Sequence, residues 1–365
     1  KFDKKKSFIF KVKKILITTG GTGGHVIPAK IIAEHLKNDF EIYYSTDLRG
    51  LKYLSSDTNK ITIIDTPKFD LNLYLPFKLI KLIYLIFQAI IYLKKEKIEK
   101  IISIGGYMST PIILGAKILG LTILLFEPNL VLGRGNRFFL NFSKKIFCYS
   151  NKLSNFPKKD LHKIELIKPL VFKTFYELEK TEDINNKFCF LISGGSQGAK
   201  FFDELIKEVM IDISKNFPIK IIQQTSLENI ENLKKFYDTK NIENKIFNFE
   251  EEFINLINLA DLCITRAGAT SLAEICILNK PFIAIPLPSA KDNHQMKNAQ
   301  FYEKMGCCWV LDQRNLNKEK LLNILMNILK DKSDLIIKKS NLKKLNYKNS
   351  WNDINQKLKK IIDEN

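Results

Sequence analysis

The sequence predicts an α/β protein built from two Rossmann-like domains whose parallel sheets face one another across a cleft. Two observations predict this fold. A buried-strand pattern at residues 15–17 leads into a glycine turn at residues 20–25 and then into a helical pattern at residues 26–36. The same order returns at residues 188–199, before a second helical pattern at residues 201–210. A chain of 365 residues also exceeds what one hydrophobic core usually supports, so two domains are expected.

Each half also carries a second, weaker glycine turn. In the first half a strand at residues 101–104 leads into Gly105 and Gly106, with a helix that extends through residue 119. In the second half a strand at residues 262–265 leads into the turn at residues 266–268. Because ligands bind at the carboxyl ends of the strands in open α/β sheets, all of these turns are expected to face the cleft.

A glycine turn that opens a helix suits a negatively charged ligand. Glycine has no Cβ, so a ligand can approach the backbone closely, and the N–H groups of the first helical turn have no partner inside the helix. A strand-to-helix turn without a ligand is the plainer interpretation of a single copy. The recurrence of the pattern favours anion binding.

The first domain is assigned to residues 1–166. After the first glycine turn and helix, further strands are predicted at residues 40–45, 60–64, 121–126 and 146–150. The strand at 121–126 ends in Glu127, Pro128 and Asn129, which places a carboxylate and an amide at the ligand-binding edge. Residues 150–168 show little periodicity and are expected to connect the two halves.

The second domain is assigned to residues 167–344. Its later strands are predicted at residues 219–223 and 246–249 and within residues 281–288. Asp292 or Asn293 is expected to cap a helix at residues 295–305. A helix at about residues 345–365 could pack back on the first domain.

The segment at residues 71–93 is apolar and flanked by lysines. Its longest uncharged stretch, at residues 82–93, is shorter than the ~20 residues that a membrane span needs, so we expect it not to cross a bilayer. A buried crossover helix with a basic end is the favoured interpretation for most of this segment. Its beginning fits an exposed patch that rests on an anionic membrane surface. That patch would comprise Phe69, Leu71, Leu73, Leu75 and Phe77, with Lys78 and Lys81 nearby.

The composition is that of a soluble globular protein with an excess of positive charge. The formal net charge of +19 predicts attraction to anionic partners: nucleic acid, an acidic membrane surface or phosphorylated substrates. An AT-rich genome would also enrich lysine. None of the six cysteines forms a C-x-x-C pair, which indicates reduced thiols in a cytoplasmic protein, and neither cysteines nor histidines have the spacing of a metal site.

Taken together and in order, the turns and polar motifs resemble those of the MurG family of glycosyltransferases. The matching residues, spread across positions 15–306, are 20–25, 105–107, 127–129, 194–199, 266–269 with Ser271 and Glu274, and 292–295 with Asn298 and Ala299. Any one glycine motif is weak support, whereas the ordered set is specific.

The resemblance implies a GT-B fold and an inverting, peripheral enzyme at the cytoplasmic face of the plasma membrane. Such an enzyme moves N-acetylglucosamine from its UDP-sugar to the C4 hydroxyl of the N-acetylmuramic acid of lipid I, undecaprenyl-pyrophosphoryl-N-acetylmuramoyl-pentapeptide. The product is lipid II, used in peptidoglycan synthesis and hence in cell-wall biogenesis, cell shape and cell division. The family implies neither a metal nor a cofactor.

The resemblance also implies which residues would bind the donor. Ser196 and neighbouring amides would hold the diphosphate at a helix N-terminus, and Arg266 would supply positive charge or shape the same loop. Glu274 would accept hydrogen bonds from the ribose hydroxyls. The other implied contacts are a backbone group near Glu250 for the uracil, His294 and Gln295 for sugar hydroxyls or phosphate, Asn129 for the N-acetylglucosamine, and Gln197, Ala269, Thr270 and Ser271.

The acceptor would bind in the first domain. The implied contacts to its diphosphate or sugar are Thr22, Gly23, Gly24, Gly105, Gly106 and Tyr107. Inverting transfer needs a base for the acceptor hydroxyl, and His25 is the first candidate, because the unperturbed pKa of histidine is about 6.5. His25 as a phosphate contact, or as a residue that only packs at the helix N-terminus, is the alternative. Glu127 is the second candidate base.

One departure from the family pattern concerns the link between the domains. The family has Asn-Pro-Val-Arg there, with the arginine reaching the donor, whereas this chain has residues 168–173, ending in Lys173. Either Lys173 replaces the arginine as a point charge or the contact is lost. The middle residue of the motif at 127–129 is also proline in place of the usual glutamine.

Two other functions compete with this interpretation. A UDP-N-acetylglucosamine 2-epimerase shares the donor and the architecture, but the apolar segment at residues 69–93 counts against it. A nucleic-acid-binding protein is suggested by the charge. The lysines, however, are spread along the chain and no aromatic-and-basic recognition module is present, so no specific nucleic-acid partner is expected.

Overall fold

The computed structural model describes residues 12–54, 60–67, 74–178, 187–250, 252–346 and 349–365, with the backbone alone for residues 195–199. The first half forms a seven-stranded parallel sheet of order β3-β2-β1-β4-β5-β6-β7. Its strands are β1 (Lys14–Thr18), β2 (Glu41–Thr46), β3 (Ile61–Ile63), β4 (Lys100–Ser103), β5 (Thr122–Glu127), β6 (Lys145–Cys148) and β7 (Ile164–Leu166).

The second half forms a six-stranded parallel sheet of order β10-β9-β8-β11-β12-β13. Its strands are β8 (Phe188–Ser193), β9 (Ile219–Gln224), β10 (Glu243–Phe247), β11 (Leu262–Thr265), β12 (Phe282–Ala284) and β13 (Cys308–Val310). The central strands of both sheets are apolar and buried, as expected for parallel sheets covered by helices on both faces.

The helices that cover the first sheet come from both ends of the sequence. In chain order, the α-helices of the described residues are α1 (Gly23–Leu36), α2 (Leu48–Leu51), α3 (Leu75–Glu96), α4 (Thr110–Ile118), α5 (Arg134–Phe139), α6 (Thr174–Glu177), α7 (Gly195–Ser214), α8 (Ile230–Asp238), α9 (Phe253–Leu259), α10 (Ala269–Ile277), α11 (His294–Lys304), α12 (Lys318–Lys330), α13 (Ser333–Leu345) and α14 (Trp351–Glu364). Helix α14 packs on α1, where the ring of Trp351 stacks on His35 with 3.6 Å between ring centroids.

The strand order explains why the glycine turns define the binding edge. In each sheet, successive strands are first added on one side of the starting strand and then on the other. This reversal lies between β1 and β4 in the first sheet and between β8 and β11 in the second. All of the glycine turns that the sequence predicts follow these central strands. Ligands of doubly wound sheets bind at this reversal, outside the carboxyl ends of the strands. The prediction of two α/β domains, each built on a parallel sheet, is therefore confirmed.

Several boundaries differ from the sequence-based expectation. Residues 150–168, predicted as a plain connection, contain the edge strand β7, which is too short to show periodicity and forms by pairing with β6. Strand β10 begins at Glu243, earlier than predicted, because its register with β9 starts there rather than at the first apolar residue. Neither Asp292 nor Asn293 caps α11 with its side chain, since both have left-handed φ, 52° and 54°.

The largest correction concerns α3. The favoured expectation was a mostly buried helix, but only Leu85, Ala89 and Leu93 are buried, and these lie on the face that packs against α4. Most of its other apolar side chains are exposed, whereas Leu75, Leu82, Ile86, Ile90 and Tyr92 are half-buried. Of the expected patch, Phe77 is exposed and Leu75 half-buried, and Phe69, Leu71 and Leu73 lie outside the described residues. The exposed large apolar side chains of α3 are Phe77, Leu79, Ile80, Ile83, Tyr84, Phe87 and Ile91, and Tyr74 directly before the helix is exposed as well.

By length and composition alone, α3 could cross a membrane: it has 22 residues, and its most apolar window has a mean hydropathy of 1.6. Only 11% of that window is buried. The packing of one face against α4 makes the helix part of the first domain, with its other face directed outward.

Candidate active site

The turn after β1 has the geometry of an anion site. Gly21 has a left-handed φ of 82°, which favours glycine, and a Cβ built on it would lie 2.8 Å from Cε of Met108. Helix α1 begins at Gly23, and in the described residues no main-chain acceptor pairs with the amides of Gly23 and Gly24. Thr22 precedes them with an exposed side chain that makes no capping hydrogen bond. This first helical turn therefore presents free N–H groups at the sheet edge.

The turn after β4 lies beside it, because β1 and β4 are paired. Gly105 and Gly106 have left-handed φ values of 89° and 83°. A Cβ at Gly135 of α5 would lie 2.7 Å from the amide nitrogen of Gly106, so the start of α5 packs closely on the backbone of the turn after β4. The hydroxyl of Tyr107 accepts a hydrogen bond of 2.7 Å from Nη2 of Arg49. Sequence reasoning missed Arg49.

His25 lies in the first turn of α1 and is half-buried. Burial lowers the pKa of its imidazole below the ordinary value, and the neighbouring residues His294 and Lys291 of the second domain shift it in the same direction. The carboxylate of Glu127 and a hydrogen bond to the carbonyl of Ile104 oppose this shift without reversing it. The ring is therefore neutral at pH 7, as a general base must be.

Glu127 ends β5 and is only 3% exposed. One carboxylate oxygen accepts hydrogen bonds from the backbone and side-chain nitrogens of Asn129, at 3.2 and 3.0 Å. The other accepts from the backbone N–H of Gly133, at 2.8 Å, and from Nδ2 of Asn136, at 3.1 Å. With four donors on it, this carboxylate anchors the loop between β5 and α5, and it is poorly placed to receive a proton. The geometry therefore favours His25 over Glu127 as the base.

Asn298 of α11 bridges the two domains. It is 1% exposed, and its Oδ1 accepts a hydrogen bond of 2.9 Å from the backbone N–H of Leu130. Its Nδ2 donates to Oδ1 of Asn129 and to the carbonyl of Ala267, both at 3.1 Å. The sequence placed Asn129 at the donor sugar. In this conformation its side chain instead joins Glu127 to Asn298.

A second bridge lies nearby. Arg134, at the start of α5, forms a two-pronged ion pair with Asp292, with 3.0 Å between Nη2 and Oδ1. Asp292 was expected to cap α11, but its carboxylate is used here. Both bridges join the loop after β5 to the segment around α11, so the carboxyl edges of the two sheets are held facing one another.

The turn after β11 is shaped by the buried side chain of Arg266 and the half-buried side chain of Gln295. Arg266 is 7% exposed and donates from Nη1 to the carbonyl of Ile285, at 2.9 Å, and to Oε1 of Gln313, at 2.7 Å. Its burial lowers its pKa to about 10. Oε1 of Gln295 accepts from the backbone N–H groups of Ala267 and Leu287. Arg266 therefore shapes the loop, the second of its two expected roles, and Gln295 retains only its amide nitrogen for a ligand.

Helix α10 carries the other donor-site candidates. Ala269, Thr270 and Ser271 form its half-buried first turn, and α10 touches α1 of the first domain. Glu274 lies one turn further on, and burial raises the pKa of its carboxyl to about 8. Within the described part of the chain no hydrogen bond or ion pair reaches this carboxylate. A half-buried acid without a partner is costly to the fold and is typical of a binding site.

The other predicted donor-site residues are Ser196, Gln197, His294 and Glu250. Ser196 and Gln197 lie in the first turn of α7, where the structure describes the backbone only. His294 opens α11, with Nδ1 2.7 Å from the carbonyl of Lys291. The carboxylate of Glu250 pairs with Lys245 at 2.6 Å, which leaves its backbone for a ligand.

Lys173, which stands where the family has arginine, pairs with Glu177 at 2.7 Å on the protein surface. Its backbone N–H donates to Oε2 of Glu34 in α1. In this conformation its ammonium is engaged by that pair, and it does not replace the arginine at a donor.

Sequence reasoning therefore found both edges of the cleft but not the residues that support them. Asp47 and Arg49 follow β2, and polar residues directly after a buried strand are the signal that could have revealed them. Asn136 and Asn298 reach the site from distant parts of the chain, and only tertiary contacts identify their roles.

Comparison with protein families gives two matches that together span most of the chain. Residues 15–148 match the glycosyltransferase family 28 N-terminal domain, and residues 189–357 match the glycosyltransferase family 28 C-terminal domain.

Among curated proteins, a UDP-N-acetylglucosamine--N-acetylmuramyl-(pentapeptide) pyrophosphoryl-undecaprenol N-acetylglucosamine transferase of Pelagibacter ubique is 48% identical over 97% of this chain and 99% of its own length. The enzyme of the same name from Rickettsia bellii is 34% identical over 87% of this chain and 91% of its own. The crystal structure of Acinetobacter baumannii MurG superposes with a TM-score of 0.77 at 26% identity, covering 97% of this chain and all of that one. A UDP-N-acetylglucosamine 2-epimerase of Listeria monocytogenes, at 10% identity and a TM-score of 0.63, shares the fold alone.

Proposed function

The chain belongs to glycosyltransferase family 28, and from this membership we propose how its two domains divide the reaction between them. It is a UDP-N-acetylglucosamine-dependent hexosyltransferase that transfers N-acetylglucosamine to lipid I and so forms lipid II in peptidoglycan synthesis. The observation that carries this conclusion is the 48% identity to a curated transferase over nearly the whole of both chains. The division of roles below is our proposal.

The first domain binds the acceptor. The free amides of Gly23 and Gly24 and the turn of Gly105, Gly106 and Tyr107 lie side by side at the carboxyl edge of β1 and β4. This arrangement supports binding of the acceptor's diphosphate next to Thr22, because helix N-termini favour negative oxygens.

The second domain binds the donor. The first turns of α7 and α10, with Ser196, Gln197, Ala269, Thr270 and Ser271, receive the diphosphate of the UDP-sugar. The Glu274 carboxylate accepts hydrogen bonds from the ribose hydroxyls. Its lack of any other partner in the described residues supports this role. The backbone near Glu250 contacts the uracil. His294 and the amide nitrogen of Gln295 contact the sugar, whereas Asn129 supports this edge of the cleft through its hydrogen bonds to Glu127 and Asn298.

His25 then takes the proton from the C4 hydroxyl of the acceptor as its oxygen attacks the anomeric carbon opposite the departing UDP. A neutral imidazole in the first turn of α1, close enough to the second domain for Lys291 to influence its pKa, supports this role. The helix N-termini of the second domain stabilise the charge that develops on UDP. The loop between β5 and α5, which Glu127 anchors, holds the carboxyl edge of the first sheet against that of the second.

The test is incubation of the purified protein with labelled UDP-N-acetylglucosamine and a short-chain lipid I analogue. A β-linked disaccharide on the lipid carrier is the expected product, identified by mass spectrometry and by its linkage in NMR. Conversion of the UDP-sugar to its 2-epimer without any acceptor would instead identify a 2-epimerase. An inactive protein with both substrates present would contradict the proposal.

We further propose that α3 holds the enzyme on the membrane surface as a peripheral protein of the cytoplasmic face. Its apolar side chains Phe77, Ile80, Ile83, Tyr84 and Phe87 are each more than half exposed. Lysines flank this face at both ends of the helix. An exposed apolar stripe bordered by lysines suits the interface of an anionic bilayer.

Charge reversal at Lys78 and Lys81 together is expected to lower binding to vesicles that contain phosphatidylglycerol by about tenfold or more. Each lysine near an anionic surface contributes about 1 kcal/mol, and the glutamates add repulsion. Vesicle sedimentation at constant salt measures the effect. The matched control is charge reversal at Lys343 and Lys344 of α13, which are exposed as Lys81 is, whereas Lys78 is half-buried. Equal losses in both variants would indicate general charge attraction and no membrane face on α3.

A further inference from the structure

Arg49 is an exposed arginine held rigidly beside the first glycine turn. It follows Asp47, whose side chain is only 4% exposed. Oδ1 of Asp47 accepts the backbone N–H groups of Gly21 and Gly50, at 2.7 and 2.8 Å. Its Oδ2 accepts Nε and Nη2 of Arg49, at 3.0 and 2.8 Å. The buried Asp47 carboxylate therefore holds both the turn after β1 and the Arg49 guanidinium by hydrogen bonds.

The arginine also reaches the turn after β4. Its Nη2 donates to the hydroxyl of Tyr107 at 2.7 Å, and a Cβ built on Gly21 would lie 3.8 Å from the same nitrogen. Since β2, β1 and β4 are neighbours in the sheet, the guanidinium spans the carboxyl ends of three adjacent strands. It lies against the turn that opens α1.

One edge of the Arg49 guanidinium has no hydrogen-bond partner among the described residues. Arginine has five N–H donors, and three of them go to Asp47 and Tyr107. The two donors on Nη1 have no partner among the described residues, and the side chain is 57% exposed. The carboxylate that orients the arginine is shielded and already accepts two main-chain N–H groups, so it does not compete for an incoming anion at that edge.

We propose that Arg49 binds the diphosphate of the acceptor, together with the amides of Gly23 and Gly24, and that Asp47 and Tyr107 position it. This inference rests on the proposed function. A planar guanidinium with two free donors matches phosphate oxygens, and such charge-assisted hydrogen bonds are strong. A simple surface ion pair would need neither the contact to Tyr107 nor a buried carboxylate partner. The diphosphate of UDP is the other possible source of this ligand, and the experiment separates the two.

The test compares Arg49→Ala with the wild-type enzyme, in steady-state kinetics with a short-chain lipid I analogue. The KM for the acceptor is expected to rise by about 10- to 100-fold, because hydrogen bonds to a charged group are lost. The KM for UDP-N-acetylglucosamine should stay within about twofold. Arg49→Lys keeps the charge but loses the paired donors. Its acceptor KM should lie between those of the wild-type enzyme and Arg49→Ala. Lys60→Ala is the matched control, since Lys60 is an exposed cation paired with Glu41 at the opposite end of the sheet.

A second arm measures diphosphate binding without turnover. Farnesyl pyrophosphate should inhibit the wild-type enzyme in competition with the acceptor, and Arg49→Ala should weaken this inhibition by a similar factor. Arg49→Gln, which still donates to Asp47, guards against a folding defect. An unchanged acceptor KM, equal effects in Lys60→Ala, or a rise in the donor KM instead of the acceptor KM would each overturn the proposal. Failure of the wild-type enzyme to form disaccharide would overturn the proposed function instead.

Discussion

Replacement of His25 by alanine is expected to lower the turnover of N-acetylglucosamine transfer by about 10²- to 10⁴-fold, the usual contribution of a positioned general base. The donor KM should not change, since His25 lies on the acceptor side of the cleft. His25→Gln should be equally slow, because glutamine can replace the hydrogen bond to the Ile104 carbonyl but cannot accept the proton. Steady-state kinetics with both substrates varied measures the effect.

The pH profile of the wild-type enzyme provides an independent check on His25. Burial lowers the pKa of the imidazole below its ordinary value of about 6.5, so the neutral, basic form persists to lower pH. The rate should therefore remain high below pH 6.5 and decline only as the pH falls through the lowered pKa. His162→Ala is the matched control, because His162 is an exposed histidine of the same domain. Normal activity in His25→Ala with a large loss in Glu127→Gln would assign the base to Glu127 instead.

Replacement of Glu274 by alanine is expected to weaken the binding of UDP-N-acetylglucosamine by roughly 100-fold or more. The loss corresponds to two hydrogen bonds between ribose hydroxyls and a charged group, at ~1.5–3 kcal/mol each. Titration calorimetry with the free nucleotide measures it without turnover. Glu231→Ala, an exposed carboxylate on α8, is the control that should bind normally. Unchanged affinity in Glu274→Ala would remove the donor assignment of this residue.

The raised pKa of Glu274 also makes donor binding depend on pH. In the empty protein burial favours the protonated carboxyl up to a pKa of about 8, whereas the ribose hydroxyls need the ionised form as acceptor. Binding should therefore release a proton, and affinity should fall as the pH drops below 8, approaching tenfold per pH unit. Glu274→Gln should bind weakly with no such slope. Affinities measured at pH 6, 7, 8 and 9 would reveal the difference.

The sequence predicted the parts of the fold that short local patterns determine. A buried strand followed by glycines and a helix is encoded within about twenty residues, so the binding edges of both sheets were found. Helix α3 shows the limit of this reasoning. Its apolar side chains surround the whole helix, so periodicity could not tell which face meets α4 and which meets solvent.

The site shows the same limit. Arg49, Asp47 and Tyr107 form one cluster across three strand ends, yet 58 positions separate Arg49 from Tyr107 in the sequence. Asn298 acts through residues of the other domain, 168 positions away. Glycine turns identify themselves by composition, whereas these partners are defined only once the strand order brings them together.

The packing of α14 on α1 determines how the enzyme can open. Among the described residues, the chain passes from the first lobe to the second near Leu170 and Val171 and returns between α13 and α14. The two passages touch where Nζ of Lys168 donates to the carbonyl of Leu345 at 3.0 Å. Two chain passages that lie side by side act as a hinge. They permit the two domains to rotate relative to one another far more readily than to separate. We therefore expect substrate entry to swing the lobes about this point, breaking the Asn298 and Arg134 bridges on the far side while the stacked rings of His35 and Trp351 remain together.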